Sequence, residues 1–277
     1  MLARQSAPIG IFDSGIGGLT IAQAIHRLMP NESLVFFGDT AHLPYGDKSH
    51  AAIKHFAEQI YKYLKQKEAK AIVIACNSAS AAAYDYLHFK YGQQPILLSV
   101  IDPVISWIIQ QEGVKKVGIV GTKATIESNA YALKLALAAP NMQCVSLATP
   151  LLAPMVEEGF INDNISELIV KNYLNHSSLQ NIDVLVLACT HYPLIKNVFQ
   201  RLLPPHVKIV DSTTPLALTL KDKLASRNLL LEKTKKQPIH HFYVSDLTPS
   251  FEKTTQLFFG KSLTLEQVPI WKEELKL

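Results

Sequence analysis

Two cysteines occupy matched settings in this chain. "AIVIACNSA" and "VLVLACTHY" each run a five-residue apolar stretch into a cysteine and then into short polar residues; the two thiols, Cys76 and Cys189, lie 113 residues apart. A lone free cysteine is usually a small buried hydrophobe, and Cys144 in "MQCVSLA" reads that way because no polar cluster adjoins it. A matched pair asks for a reaction that uses two thiols. Neither belongs to a C-x-x-C motif, so a zinc site or a dithiol redox centre is not indicated. Three cysteines in all are too few for a disulfide scaffold, and free thiols fit a reducing compartment. A cysteine hydrolase needs one nucleophile with a base and an oxyanion hole, which leaves the second cysteine idle. Inverting a carbon centre needs a base on one face and an acid on the other, with the roles exchanged in the reverse direction. Near-symmetric thiols suit that chemistry. Each also precedes a predicted helix: Asn77 or Ser78 as N-cap of "SAAAYDYLHFK", Thr190 as cap of a helix with Pro193 in its first turn. Because a helix N-terminus favours negative charge, both thiols are expected to fall from a pKa of about 8.5 toward neutrality.

A glycine-rich turn in "IGIFDSGIGGLT", residues 9–20, supplies the next candidate. Such a turn between a strand and a helix can bind an anion. Here Thr20 stands where a dinucleotide fingerprint needs its third glycine, and the Gly-Lys-Ser/Thr ending of a P-loop is absent. The turn binds something smaller than a nucleotide, or is a plain tight turn.

The elements that must position these groups are legible as short apolar runs alternating with helical patterns. Strands are expected at 9–12, 34–37, 71–75, 96–100, 117–120, 184–188 and 207–210, with strand-like "HHFYVS" and "SLTLEQV" near the C-terminus. Helices are expected in "LTIAQAIHRLM", "HAAIKHFAEQIYKYLKQ", "TIESNAYALKLALAA" and "LIKNVFQRLL". Continuous apolar strands between helices indicate an α/β fold with parallel sheets covered on both faces. The repeat seen at the cysteines recurs between "IGIFDSG" and "VGIVGTK", where Gly10 and Gly118 are 108 residues apart. Two related halves follow: two similar parallel-sheet α/β domains related by a pseudo-two-fold axis, with residues 1–98 plus 212–277 forming one and 99–211 the other. Ligands of open α/β sheets bind outside the carboxyl ends of the strands. Asp13-Ser14, Cys76-Asn77-Ser78, Gly121-Thr122 and Cys189-Thr190-His191 all follow predicted strands, so a cleft between the halves gathers them.

Composition narrows the function classes. The chain has 277 residues, 48% of them hydrophobic, enough to bury roughly 70–75% of its unfolded surface. Its net charge of +4 is scattered, its arginines (Arg4, Arg27, Arg201, Arg227) do not cluster, and "KTKKQ" at 233–237 reads as a solvated loop, so nucleic acid is not an expected partner. "ILLSVIDPVISWII" is broken by Asp102 and Pro103, which argues against a membrane span. The start "MLARQSAPIG" lacks the apolar region of a signal peptide, and a cytoplasmic location is expected. The histidines show no metal-ligand spacing.

"FDSGIGG", "GDTAHLPYG", "ACNSAS", "MVEEG" and "ACTHYPL", in this order from residue 9 to about 212, resemble the glutamate racemase family of the cofactor-independent aspartate/glutamate racemase superfamily. The resemblance implies interconversion of L- and D-glutamate for peptidoglycan synthesis, with no cofactor and no metal, by an enzyme expected to be a homodimer. It implies that Cys189 takes the α-proton of L-glutamate and Cys76 that of D-glutamate, with Asp13 assisting Cys76 and Glu157 and His191 assisting Cys189. Asp39 of "GDT" is a further acidic residue of the family's site. Substrate contacts implied are Asp13, Ser14, Tyr45, Gly46, Asn77, Ser78, Thr122, Thr190 and His191, with Thr125 an addition; Ser78 stands where many members have threonine. The cleft offers backbone N–H groups, hydroxyls and an amide instead of an arginine, and such short donors can hold a carboxylate where burial makes each hydrogen bond count. Asp13 either binds the substrate ammonium or accepts the Cys76 proton. Aspartate racemase is the alternative within the superfamily, against which stand "PYG" and the missing motif arginine. A non-catalytic amino-acid sensor of the same layout would not need matched thiols.

Overall fold

In the computed structural model, residues 2–92, 94–232 and 237–271 are described. The apolar runs become β1 (Ile9–Asp13), β2 (Leu34–Gly38), β3 (Ala71–Ile74), β4 (Ile96–Ser99), β5 (Lys116–Gly121), β7 (Val184–Ala188) and β8 (Lys208–Asp211), joined by β6 (Gln143–Ala148), β9 (His241–Val244) and the short β10 (Glu266–Gln267). They form two sheets, ordered β10-β9-β2-β1-β3-β4 and β6-β5-β7-β8, with every pairing parallel. β1, β2, β3, β4 and β7 are buried along their whole length, as strands covered on both faces must be. Helix Leu19–Leu28 turns Leu19, Ile21, Ala22 and Ile25 inward, and helix His50–Gln66 buries Ile53, Ala57, Ile60, Tyr61 and Leu64. One apolar cluster runs from Ile11 and Val73 through Val104 to Val117 and Val186, joining the two sheets, while a second lies on the other face of the first sheet around Phe12, Ile72, Ile74 and Ile60.

The internal repeat is structural. The order β2-β1-β3-β4 in the first sheet matches β6-β5-β7-β8 in the second. Register matches too: Gly10 pairs with Val35 and Ile72, and Gly118 pairs with Val145 and Leu185. Cys76 and Cys189 therefore follow equivalent strands. The chain then returns to the first sheet, where β9 adds alongside β2, and helices Ile101–Ile109 and Thr213–Ser226 pack together where it leaves and re-enters.

Three expectations change. β6 is absent from the apolar pattern because it is a half-exposed edge strand carrying Gln143 and Ser146. "TIESNAYALKLALAA" is two helices, Lys123–Glu127 and Ala130–Ala138, separated by Asn129 at φ 55°, a left-handed conformation that asparagine tolerates. "LIKNVFQRLL" begins in a 3₁₀ turn, Tyr192–Ile195, before helix Lys196–Leu202. "ILLSVIDPVISWII" divides into β4 and helix Ile101–Ile109, and among the described residues no helix is long and apolar enough to cross a membrane. Of "KTKKQ", residues 233–236 lie outside the described residues.

Candidate active site

The carboxyl ends of β1, β3, β5 and β7 converge on a cavity of about 90 Å³ lined by both Cys76 and Cys189. Ser14, Tyr45, Gly46, Asn77, Ser78, Thr122, Glu157, Thr190 and His191 line it as well, together with Gly15, Leu43, Pro44, Ala153, Pro154 and Ala188; among the described residues no lysine or arginine does. A larger groove of about 460 Å³ beside Thr20, Arg27 and Phe258 contains neither thiol. Asp13, Asp39 and Thr125 are buried but stand behind the lining rather than in it.

Cys76 is itself the N-cap of helix Asn77–Tyr91, where its Sγ accepts the Ala79 N–H at 3.5 Å. The expected caps, Asn77 and Ser78, are the first helical residues instead, which frees their side chains to face the cavity. Cys76 donates to Ser14 Oγ at 3.6 Å. The thiol pKa is not lowered. Burial, seconded by the Asp13 carboxylate, pushes it up to about 12, outweighing the Ala79 and Ser14 hydrogen bonds. Asp13 Oδ2 accepts the N–H groups of Gly18 at 2.9 Å and Gly15 at 3.2 Å, so the glycine turn wraps a carboxylate of its own chain. Asp13 Oδ1 is buried without a protein partner. Burial raises the Asp13 pKa, opposed by the His191 charge and the turn's N–H groups.

Cys189 directly follows β7 and precedes the 3₁₀ turn, whose N-cap position is held by His191 without a side-chain capping bond. Thr190 is not a cap; its carbonyl accepts Thr20 Oγ1 at 3.1 Å across the cleft. The group that acts on Cys189 is the buried His191, whose Nδ1 lies 3.6 Å from Sγ and whose Nε2 lies 2.9 Å from Glu157 Oε1. Burial disfavours charge on this ring, yet hydrogen bonds to Cys189 and Glu157 outweigh it and raise the pKa to about 10. The imidazolium thus carries both protons at neutral pH, donating to sulfur on one side and carboxylate on the other. Gly17 packs directly against it: a Cβ there would sit 2.5 Å from His191 Cε1, and the Phe258 ring meets His191 edge-on at 5.1 Å.

The two halves touch at hydroxyls. Ser78 Oγ lies 2.8 Å from Thr122 Oγ1 and 3.1 Å from Thr125 Oγ1. Thr122 caps helix Lys123–Glu127. Tyr131 OH donates to Asn77 Oδ1 at 2.7 Å and leaves the buried Asn77 Nδ2 without a protein partner, a donor free for a ligand. Gly46 abuts Thr122, whose Cβ would be 2.9 Å from a Cβ at Gly46. Asp39, which in isolation resembles a surface or capping residue, is fully buried. It accepts Tyr45 OH at 2.6 Å, Ser245 Oγ at 2.8 Å and Trp271 Nε1 at 2.9 Å, with His42 Nδ1 at 3.0 Å. Ser245 and Trp271 escaped the sequence reading because 206 and 232 residues separate them from Asp39. Among the described residues no group of three or more His, Cys, Asp or Glu is arranged to hold a metal ion.

Two α/β halves in matched strand order each present one thiol to a shared cavity. A family model for Asp/Glu/hydantoin racemases matches residues 19–219, and the chain belongs to that family. It is an amino-acid racemase. Over 267 residues, 96% of this chain and 97% of the other, it is 40% identical to the glutamate racemase of Neisseria meningitidis. It is 37% identical to that of Chlorobaculum tepidum over 259 residues, 94% of both chains. The crystal structure of glutamate racemase from Francisella tularensis in complex with D-glutamate matches with a TM-score of 0.88 at 39% identity, covering 96% of this chain and 98% of that one.

Proposed function

We propose that this chain interconverts L- and D-glutamate by two-base proton transfer between Cys189 and Cys76. The observation that carries the reading is the pair of thiols at equivalent strand ends lining one cavity, each with its own assisting groups. In the L-to-D direction the Cys189 thiolate, hydrogen-bonded to the His191 imidazolium, takes the α-proton and becomes a thiol. The electron pair stays on the α-carbon and spreads into the carboxylate. Cys76, whose pKa of about 12 keeps it a thiol, delivers its proton to the opposite face and is left as thiolate. In the reverse direction the roles exchange. Neutral donors fixed before the reaction stabilise the carbanion without reorganising: the Ser14, Ser78, Thr122 and Thr190 hydroxyls and Asn77 Nδ2. Tyr45 and Gly46 complete the lining. Asp13 Oδ1, the carboxylate oxygen without a protein partner, serves the substrate ammonium or the Cys76 proton.

The names of the relatives support glutamate as substrate; D-glutamate supply for peptidoglycan, a cytoplasmic location and a homodimer are proposed with it on the family resemblance of the motifs alone. Residues 1–98 with 212–277 form one domain and 99–211 the other, a division supported by strand membership and by the two helices packed at the crossing. Chiral analysis after incubation with glutamate or aspartate, without added cofactor, tests the reading. Glutamate is expected to be favoured about 10- to 200-fold, the discrimination one methylene supplies. Cys76→Ser and Cys189→Ser should each slow racemisation at least about a hundredfold; full turnover in either variant removes the mechanism, and preference for aspartate removes the substrate.

A further inference from the structure

The C-terminal part of the chain contributes no described residue to the cavity lining, yet two of its side chains end on Asp39, one contact away from it. We propose that Trp271 and Ser245 are positioning residues for the Tyr45–Gly46 wall of the cavity, acting through Asp39. This inference rests on the glutamate racemase reading above.

Both oxygens of the buried Asp39 are occupied. Oδ1 accepts Ser245 Oγ and Trp271 Nε1, while Oδ2 accepts the phenol of Tyr45 and lies next to His42 Nδ1. A buried carboxylate is held where its donors put it, because leaving one unsatisfied is costly. The Tyr45 ring is buried against the cavity, and its phenol, kept protonated by burial and by the Asp39 charge, donates to the carboxylate. The carboxylate therefore sets where that ring lies. Trp271 is fixed in turn, edge-on to Phe56 at 5.5 Å and to His42 at 4.7 Å, with His42 stacked on Phe56 at 4.1 Å. Ser245 follows β9 and also accepts the Ala41 N–H at 2.9 Å. Thr40 Oγ1 both donates to the Asp246 carbonyl and accepts the Asp246 N–H. The turn after β2 is thus stitched to the turn after β9, and from Tyr45 the contact passes to Gly46 and across the cleft to Thr122.

The test is a double-mutant cycle read in steady-state kinetics on the full chain. Trp271→Phe keeps an aromatic ring and removes the Nε1–H; Ser245→Ala removes the second donor to the same oxygen with little change in volume. Each is expected to raise KM for glutamate about tenfold with kcat changed less than about threefold, the scale of one hydrogen bond lost to a buried charge. In a Tyr45→Phe background, where Asp39 no longer grips the ring, the same substitutions should add almost nothing, because coupled residues are non-additive. An unchanged KM, or an effect that persists in full in the Tyr45→Phe background, overturns the proposal. A role confined to stability would lower the thermal midpoint and the active fraction while leaving KM as it was. If the unmodified enzyme does not racemise glutamate at all, it is the underlying reading that fails.

Discussion

At the scale of single residues the two thiols are alike in sequence and opposite in surroundings. Cys76 sits beside a carboxylate and is held as a thiol, whereas Cys189 faces a doubly protonated imidazole. That asymmetry gives a pH dependence with a definite sign. His191 loses its proton near 6.5 in the unfolded chain and at about 10 in the fold. The stabilisation its charge supplies is complete below about 6.5 and is lost as pH rises through about 10. The L-to-D rate should fall along the same alkaline limb. Glu157→Gln removes a carboxylate from Nε2 and should bring that limb down by about one to two pH units, measured as kcat/KM against pH in the unmodified enzyme and the variant; an unmoved limb would mean that Glu157 does not hold the ring charged. The positions of both cysteines were legible because the chain repeats its local pattern around them. Their protonation was not: the helix terminus at Cys76 is real, but burial and the charge of Asp13 outweigh it, and neither quantity is visible in nine residues of sequence. His191 could be nominated from "CTHY", whereas Asp39 could be assigned its partners only once distant turns were seen to meet.

At the scale of elements, what the sequence disclosed was continuous burial. Strands covered on both faces announce themselves as apolar runs, and β1, β2, β3, β4 and β7 were found that way. β6, half-exposed at an edge, has no such signature, and the break at Asn129 reflects a local conformation inside an otherwise helical pattern. One packing of elements also responds to pH. His240, just before β9, meets His26 of helix Leu19–Leu28 edge-on at 5.0 Å, with Phe242 beside His240 and Phe259 beside His26. Burial, followed by the charges of His26 and Lys261, lowers the His240 pKa to about 4. A histidine with a depressed folded pKa contributes stability that is present above about 6.5 and is lost as pH falls through about 4. The thermal midpoint should therefore drop between those values, and His240→Phe should make the drop shallower. Equal acid sensitivity in the variant would place the labile contact elsewhere.

At the scale of the whole molecule, the repeated α/β half supplies two equivalent strand-end positions to one cavity. Matching strand order brings Cys76 and Cys189 to the cleft from opposite sides, and matching register sets both at the same height on their sheets. The repeat was legible through two similar spacings, 113 residues between cysteines and 108 between glycines, because the glycine-to-cysteine stretch is of nearly the same length in both halves. The return of the chain to the edge of the first sheet was legible as strand-like "HHFYVS", but its hold on Asp39 was not, since that hold is made of single hydrogen bonds between turns. The central claim is that two different groups serve the two faces of the α-carbon. Racemisation of L-glutamate in deuterated water, sampled while little has been converted, tests it most directly. Two bases predict D-glutamate that carries deuterium at the α-carbon while the remaining L-glutamate is still protiated. D-glutamate that retains the original protium, returned by a single base, would contradict the account.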